Sequence, residues 1–193
     1  MRRVCVFCGS GVGKSPDYVT ATRALAKHLV SEGIGIVFGG AKVGLMGVLA
    51  DTALAAGGKV IGVIPQALVD REAAHTEVTE LRVVSSMHER KATMEKLSDG
   101  FIALPGGYGT LEEILEILTW GQLGIHAKPS GFLNVRNYYD KFLTFLEDGV
   151  EDGFVRPGHR ELFVSSSDPV ELVQKMKEYK APAVKKWITH EQT

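Results

Sequence analysis

The sequence predicts an α/β fold, with one doubly wound, mostly parallel sheet covered by helices on both faces. Short apolar runs alternate with amphipathic stretches along the chain, which is typical of successive βαβ units with right-handed crossovers. The runs are uniformly apolar, as at residues 34–38, which indicates strands buried on both sides. Of the 193 residues, 22 are glycines, and most stand where a strand is expected to end.

Each element follows from its local pattern. Strands are predicted for the apolar runs at residues 3–8, 35–38, 59–64, 79–84, 100–104, 131–135 and 162–164. Helices are predicted where apolar residues recur at helical spacing, at residues 16–31, 45–56, 87–97, 109–123, 138–150 and 169–179. We expect residues 1–180 to form a single domain and residues 181–193 a polar C-terminal tail.

The composition excludes several classes of protein. A formal net charge of −1 and a pI of about 6.6 argue against nucleic-acid binding through phosphate neutralisation. No apolar run approaches the ~20 residues of a membrane span, and the first one breaks at Gly9, too early for a signal peptide. Two cysteines cannot form a secreted disulfide framework. We therefore expect a cytoplasmic protein that binds neither membrane nor nucleic acid.

The ligand of such a sheet binds beyond the carboxyl ends of the strands, near the switch point of the topology. The predicted loops there are residues 9–15, 39–44, 65–75, 85–91 and 105–110. The first resembles a phosphate-binding P-loop, but the motif requires glycine where Cys8 stands. It also fails as a dinucleotide fingerprint, because Lys14 occupies the third glycine position.

Other chemical motifs are also unsupported. Cys5 and Cys8 have redox-pair spacing, but residues three apart on a strand point to opposite faces, so two core cysteines are expected. The six histidines are scattered without metal-ligand spacing, so no metal site is predicted. No G-x-S-x-G elbow is present, which leaves a serine hydrolase without support.

The segment Pro105-Gly106-Gly107-Tyr108-Gly109-Thr110-Leu111-Glu112-Glu113 follows a strand and opens a helix. Its glycines let the backbone approach a ligand closely, and the amides at the helix start attract an anion. Thr110 can cap the helix or bind an oxygen of that anion. A carboxylate at Glu113 would repel phosphate, so it should face a ligand atom that gains positive charge. Cleavage of a glycosidic bond passes through a positively charged, oxocarbenium-like state of the sugar. A phosphorylated sugar therefore offers a phosphate for the amides and a positively charged carbon for the carboxylate.

Arg90 and Lys91 are adjacent cations near the start of another helix. Cations there oppose the helix dipole, so local stability does not explain them. Arginine binds phosphate or carboxylate in a forked geometry. The alternative is that Arg90 and Lys91 simply lie on a solvent-exposed face of the helix.

With Ser-Met-His-Glu-Arg-Lys at residues 86–91, the Pro105–Glu113 segment resembles the signature of the LOG (Lonely Guy) family, the cytokinin riboside 5′-monophosphate phosphoribohydrolases. Agreement extends to residues 6–10, 43–47, 60–65, 122–126 and 138–140. Two loops depart from the usual pattern, at Ser10-Gly11 and at Gly39-Gly40-Ala41-Lys42. Both border the predicted site, where they bear on phosphate affinity and base preference.

The resemblance implies a Rossmann-like homodimer that hydrolyses the N-glycosidic bond of N6-modified AMP, and often AMP, without a metal or organic cofactor. By motif match, Arg90 and Glu113 are the expected catalytic pair. Lysine decarboxylation, an older label in this family, needs pyridoxal phosphate on a dedicated lysine, which nothing in the sequence supports. The expected substrate-binding residues, from the loops and the resemblance together, are Ser10, Gly39, Gly40, Glu72, Met87, Lys91, Gly106, Gly107, Tyr108, Gly109, Thr110, Leu111, Glu112 and Thr119.

The helix predicted at residues 109–123 is apolar around most of its circumference, so it should be buried on two sides. One side would meet the sheet, and the other either a second copy of the chain or the helix at residues 138–150. The competing functional hypothesis is a non-catalytic carrier of a nucleotide or of molybdenum cofactor, with the same fold. Release of free base from AMP distinguishes the two functions.

Overall fold

The computed structural model describes residues 1–69 and 74–183. It confirms the α/β fold class, because the described strands form one seven-stranded sheet in which every neighbouring pair is parallel. Its order is β4-β3-β2-β1-β5-β6-β7. The strands are β1 Arg3–Phe7, β2 Gly35–Phe38, β3 Val60–Pro65, β4 Glu80–Val84, β5 Gly100–Ala103, β6 Ser130–Leu133 and β7 Phe163–Ser166.

Helices connect the strands and cover the sheet. The α-helices are α1 Pro16–Ser31, α2 Gly44–Ala55, α3 Gln66–Val69, α4 Met87–Leu97, α5 Tyr108–Gln122, α6 Asp140–Glu151 and α7 Pro169–Glu178. Short 3-10 turns lie at Val135–Asn137 and Pro157–Leu162. Side chains of Ser15, Ser86 and Asp168 accept hydrogen bonds from amides in the first turns of α1, α4 and α7, which fixes where these helices begin.

Two apolar layers lie on opposite sides of the sheet. One includes residues of α1, α2 and α7, and the other includes residues of α4 and α5. Cys8 belongs to the first layer and Cys5 to the second, and both are free, buried thiols. The prediction that the two cysteines point to opposite faces is therefore confirmed.

Some predicted boundaries are wrong. Residues 65–75 were expected to be a loop, but Pro65 pairs with Val84 as the last residue of β3, and α3 follows at once. The last strand lies at Phe163–Ser166 rather than at 162–164, because Ser165 and Ser166 continue the pairing with β6 despite their polarity.

The topology changes direction at β1, which lies between β2 and β5. The loops after β1 and β5 therefore meet at the switch point, where the amide of Gly9 donates to the carbonyl of Pro105 at 3.2 Å. This is the edge at which an open α/β sheet binds its ligand. Within the described residues, no helix combines the length and apolar character needed to cross a membrane.

Candidate active site

Arg90 lies at the centre of this edge, where three other elements converge on its guanidinium. Nε donates to the carbonyl of Val63 in β3, and Nη2 to the carbonyl of Gly39 just after β2, each at 3.1 Å. Nη1 lies 3.7 Å from Oε1 of Glu113 in α5. Arg90 is only 7% exposed, so these acceptors offset the cost of burying its charge. They also fix its orientation.

Gly39 makes room for that cation. A Cβ at residue 39 would lie 2.2 Å from Nη2 of Arg90 and 3.0 Å from Sδ of Met46. Gly40 has φ +79°, and its carbonyl accepts from the amide of His75 at 2.8 Å. These two predicted site residues therefore shape the loop around Arg90.

Glu113 lies in the second turn of α5 and is 9% exposed. Burial, followed by the Glu113 charge, raises the pKa of both the Cys5 and the Cys8 thiol. The predicted pair Arg90 and Glu113 is thus brought together in space, from α4 and α5, with little solvent around it.

The start of α5 offers an anion-binding surface beside this pair. Gly107 is the N-cap residue, and within the described part of the chain no side-chain hydrogen bond caps the helix. The amides of the first turn lack partners within the helix and lie at the positive end of its dipole. A Cβ at Gly107 or Gly109 would meet no atom within 4 Å, so the backbone is open on those sides. Such a terminus suits a phosphate group.

Thr110 does not cap α5, so the first of its two alternative roles is wrong, and the second, binding an oxygen of the anion, stays a prediction. The residue is 3% exposed, and its Oγ1 lies 2.1 Å from the position that a Cβ at Gly106 would take. Gly106 must therefore be glycine for the loop to close over Thr110. The helix begins at Tyr108, one residue earlier than predicted, so the cap falls on Gly107.

Lys91 bridges α4 and α5. Its Nζ donates to Oε1 of Glu112 at 2.5 Å and to Oε1 of Glu116 at 3.0 Å. Burial lowers the pKa of Lys91, but the hydrogen bonds to the two carboxylates outweigh it and leave the pKa raised. The prediction named Lys91 and Glu112 but missed Glu116, although two glutamates four apart on one helix face were a visible signal.

The remaining predicted residues differ in their placement. Ser10 is exposed in the loop after β1, and its backbone packs on Gly44 at the start of α2. Met87 presents its sulfur 3.8 Å from Nη1 of Arg90, while Tyr108 is 94% exposed. Leu111 is half-buried against the layer that contains α4 and α5. Glu72 lies outside the described residues.

Thr119 does not join the Arg90–Glu113 cluster within one copy of the chain. Its Oγ1 donates to the carbonyl of Leu115 at 2.8 Å. It lines a groove of about 440 Å³ between α5 and α6. Thr119 lies six residues after Glu113 in α5, so the two side chains point in different directions.

A further cluster, made of charged side chains and a histidine, lies next to Gly40, and it is not predicted from the sequence. Nε2 of the fully buried His75 lies 2.9 Å from Oδ1 of Asp51, and Nζ of Lys42 lies 3.3 Å from Oε2 of Glu77. Donor atoms of Asp51, His75 and Glu77 lie within 4.8 Å of one another. The contacts join α2 to the segment after α3 and hold His75 where its amide binds Gly40.

Comparison with known proteins places the chain in a family. The profile described as "Possible lysine decarboxylase" matches residues 46–176. The chain is 54% identical over 92% of its length to "Probable cytokinin riboside 5′-monophosphate phosphoribohydrolase LOGL9" of Oryza sativa subsp. japonica, covering 78% of that protein. It is 51% identical over 93% of its length to cytokinin riboside 5′-monophosphate phosphoribohydrolase LOG5 of Arabidopsis thaliana, again covering 78% of the relative. The chain belongs to the LOG family.

Solved structures of other proteins resemble this LOG-family chain at the level of the fold. The molybdenum cofactor carrier protein of Chlamydomonas reinhardtii gives a TM-score of 0.69 at 21% identity, over 92% of this chain and 96% of the other. The X-ray structure of the structural-genomics target TM1055 gives a TM-score of 0.70 at 24% identity, over 92% and 99% of the two chains. At these identities the LOG-family chain and the two structures share architecture, not a demonstrated ligand.

Proposed function

We propose that this protein is an N-glycosidase that hydrolyses N6-modified adenosine 5′-monophosphates, the cytokinin riboside monophosphates, and AMP. The observation that carries the proposal is the buried Arg90–Glu113 pair, 3.7 Å apart, beside an α5 N-terminus without a side-chain cap. The phosphoribohydrolase names of relatives at about 50% identity support the same reaction.

In this proposal the amides of residues 107–110, together with Thr110, bind the 5′-phosphate. Arg90, held by two carbonyls, orients the ligand and Glu113. Glu113 stabilises positive charge at C1′ or activates water. Water adds to C1′, the bond from C1′ to N9 of the base breaks, and N9 takes up a proton. The products are free base and ribose 5-phosphate, and no cofactor takes part.

The decisive experiment measures release of free base from AMP and from isopentenyl-AMP. Glu113→Gln should keep AMP binding and lose turnover by about 100- to 10,000-fold, the usual contribution of a positioned acid or base. Glu178→Gln is the matched control, because that side chain is exposed at the end of α7. Full turnover in Glu113→Gln would refute the assignment. Binding without base release in the wild-type protein would favour the carrier function instead.

We also propose that the chain acts as a homodimer through the groove between α5 and α6. Leu115 is 38% exposed there, and Leu118, Leu143, Leu146 and Val150 line the same groove. An apolar groove of this kind is suited to a second copy of the chain. Light scattering should report a dimer for the wild-type protein and a monomer for Leu115→Glu. The control Val170→Glu changes an exposed apolar residue on α7 and should remain dimeric.

We infer a cytoplasmic location from the two free, buried thiols, which suit a reducing compartment. Fractionation of cells that express the chain tests this inference. Recovery in the secreted fraction would contradict it.

A further inference from the structure

Tyr138 contacts the proposed phosphate site from a distant part of the chain. Its hydroxyl donates to the carbonyl of Gly106 at 2.6 Å, although the two residues are 32 positions apart. Tyr138 lies between the 3-10 turn at Val135–Asn137 and α6. Neither the sequence motifs nor the names of the relatives assign it a role.

The hydrogen bond controls the direction of a neighbouring amide. In a trans peptide the C=O and the following N–H point in opposite directions, and the described chain contains no cis peptide. Binding the Gly106 carbonyl to Tyr138 therefore turns the Gly107 N–H away from Tyr138. In the same way, the bond from the Gly9 amide to the Pro105 carbonyl fixes the Gly106 N–H. Two successive peptide planes of the loop are thereby held.

The Tyr138 ring is itself held in place. Its ring meets that of Tyr18 edge-on at a centroid distance of 6.0 Å, and that of Tyr139 at 5.1 Å. Just before it, Arg136 and Asn137 adopt left-handed φ values of 55° and 59°. Non-glycine residues rarely take this conformation, and it persists only where surrounding contacts enforce it. The chain is thus bent so that Tyr138 reaches the loop.

We propose that Tyr138 is a positioning residue for phosphate recognition, because it orients the Gly106–Gly107 peptide so that the Gly107 amide faces the 5′-phosphate. This role rests on the proposed function of the site. Tyr138 itself does not touch the reacting atoms. Loss of the Tyr138 hydroxyl should weaken phosphate binding and leave the Arg90–Glu113 chemistry intact.

The test compares Tyr138→Phe with Tyr139→Phe. Tyr139 is the matched control, because its hydroxyl also donates to a backbone carbonyl, that of Leu104, at 2.6 Å, but outside the glycine loop. Calorimetry measures binding of AMP and of adenosine, which lacks the phosphate. Base release then gives KM and kcat for AMP.

For Tyr138→Phe we expect AMP affinity to fall and KM to rise by about 3- to 10-fold, the usual effect of one hydrogen bond. Adenosine affinity and kcat should stay within about twofold of wild type. An equal loss for AMP and adenosine, no loss for either, or the same selective loss in Tyr139→Phe would overturn the proposal. Because calorimetry does not need turnover, a wild-type protein that binds AMP without cleaving it would refute the hydrolase function alone.

Discussion

Replacing Gly39 with alanine tests whether the orientation of Arg90 limits catalysis. The new Cβ would stand 2.2 Å from Nη2 of Arg90, which no heavy-atom contact tolerates, so the guanidinium must move. Movement breaks the 3.1 Å bond from Nη2 to the Gly39 carbonyl and alters the approach to Glu113. The φ of Gly39 is not left-handed, so alanine is compatible with the backbone and the conflict lies with the side chains.

The size of the effect follows from the bond that is lost. A hydrogen bond to a charged group contributes about 1.5–3 kcal/mol, which corresponds to a loss of kcat/KM of about 10- to 100-fold. The 3.0 Å approach to Met46 adds strain, and we expect about 1–3 kcal/mol of lost stability. Stability and activity must therefore be measured on the same samples.

The assay follows adenine release from AMP, with urea unfolding to confirm that the variant is folded. Gly158→Ala is the matched control, because a Cβ there would meet no atom within 4 Å. Wild-type kcat/KM in folded Gly39→Ala protein would refute the reasoning that the Gly39 carbonyl holds Arg90 in its active orientation.

Three further outcomes are expected. Gly149→Ala should stabilise the protein by about 0.5–1 kcal/mol in urea unfolding, because the added Cβ inside α6 would make only an ordinary 3.6 Å contact; lower stability would contradict this. Burial, and then the Arg156 charge, lowers the pKa of His159 below its ordinary 6.5. The folded state therefore binds fewer protons than the unfolded chain, and the free energy of unfolding should fall as the pH drops below 6.5. This fall should be smaller in His159→Asn. An equal pH dependence of stability in the two proteins would contradict the assignment of this effect to His159. Since burial raises the pKa of Cys5 and Cys8, neither thiol should react with a disulfide reagent at about pH 8 until the protein is denatured, and rapid labelling of the native protein would contradict their burial.

Much of the fold could be predicted because burial on both faces leaves a simple pattern. Strands such as Gly35–Phe38 are apolar at nearly every position, and Gly39 follows this strand directly. The last strand was placed too early because Ser165 and Ser166 are polar, and only pairing with β6 makes them a strand. The four-residue helix Gln66–Val69 is too short to show a helical period.

The candidate site was predictable where side chains form motifs. Arg90 and Glu113 stand at recognisable positions, and the fold brings them together. The sequence does not reveal the contacts that orient Arg90, because the carbonyls of Val63 and Gly39 are main-chain groups that every residue possesses. Tyr138 was also missed as a site residue, since its partner is a carbonyl 32 residues away.

The main-chain acceptors of Arg90 have a consequence for divergence. A carbonyl survives almost any substitution at its own residue, so a change at Val63 alters the side-chain packing and leaves the acceptor in place. The core packing around Val63 can therefore change over evolution while Arg90 keeps its orientation. Position 39 differs, because any Cβ there would lie 2.2 Å from Nη2 of Arg90.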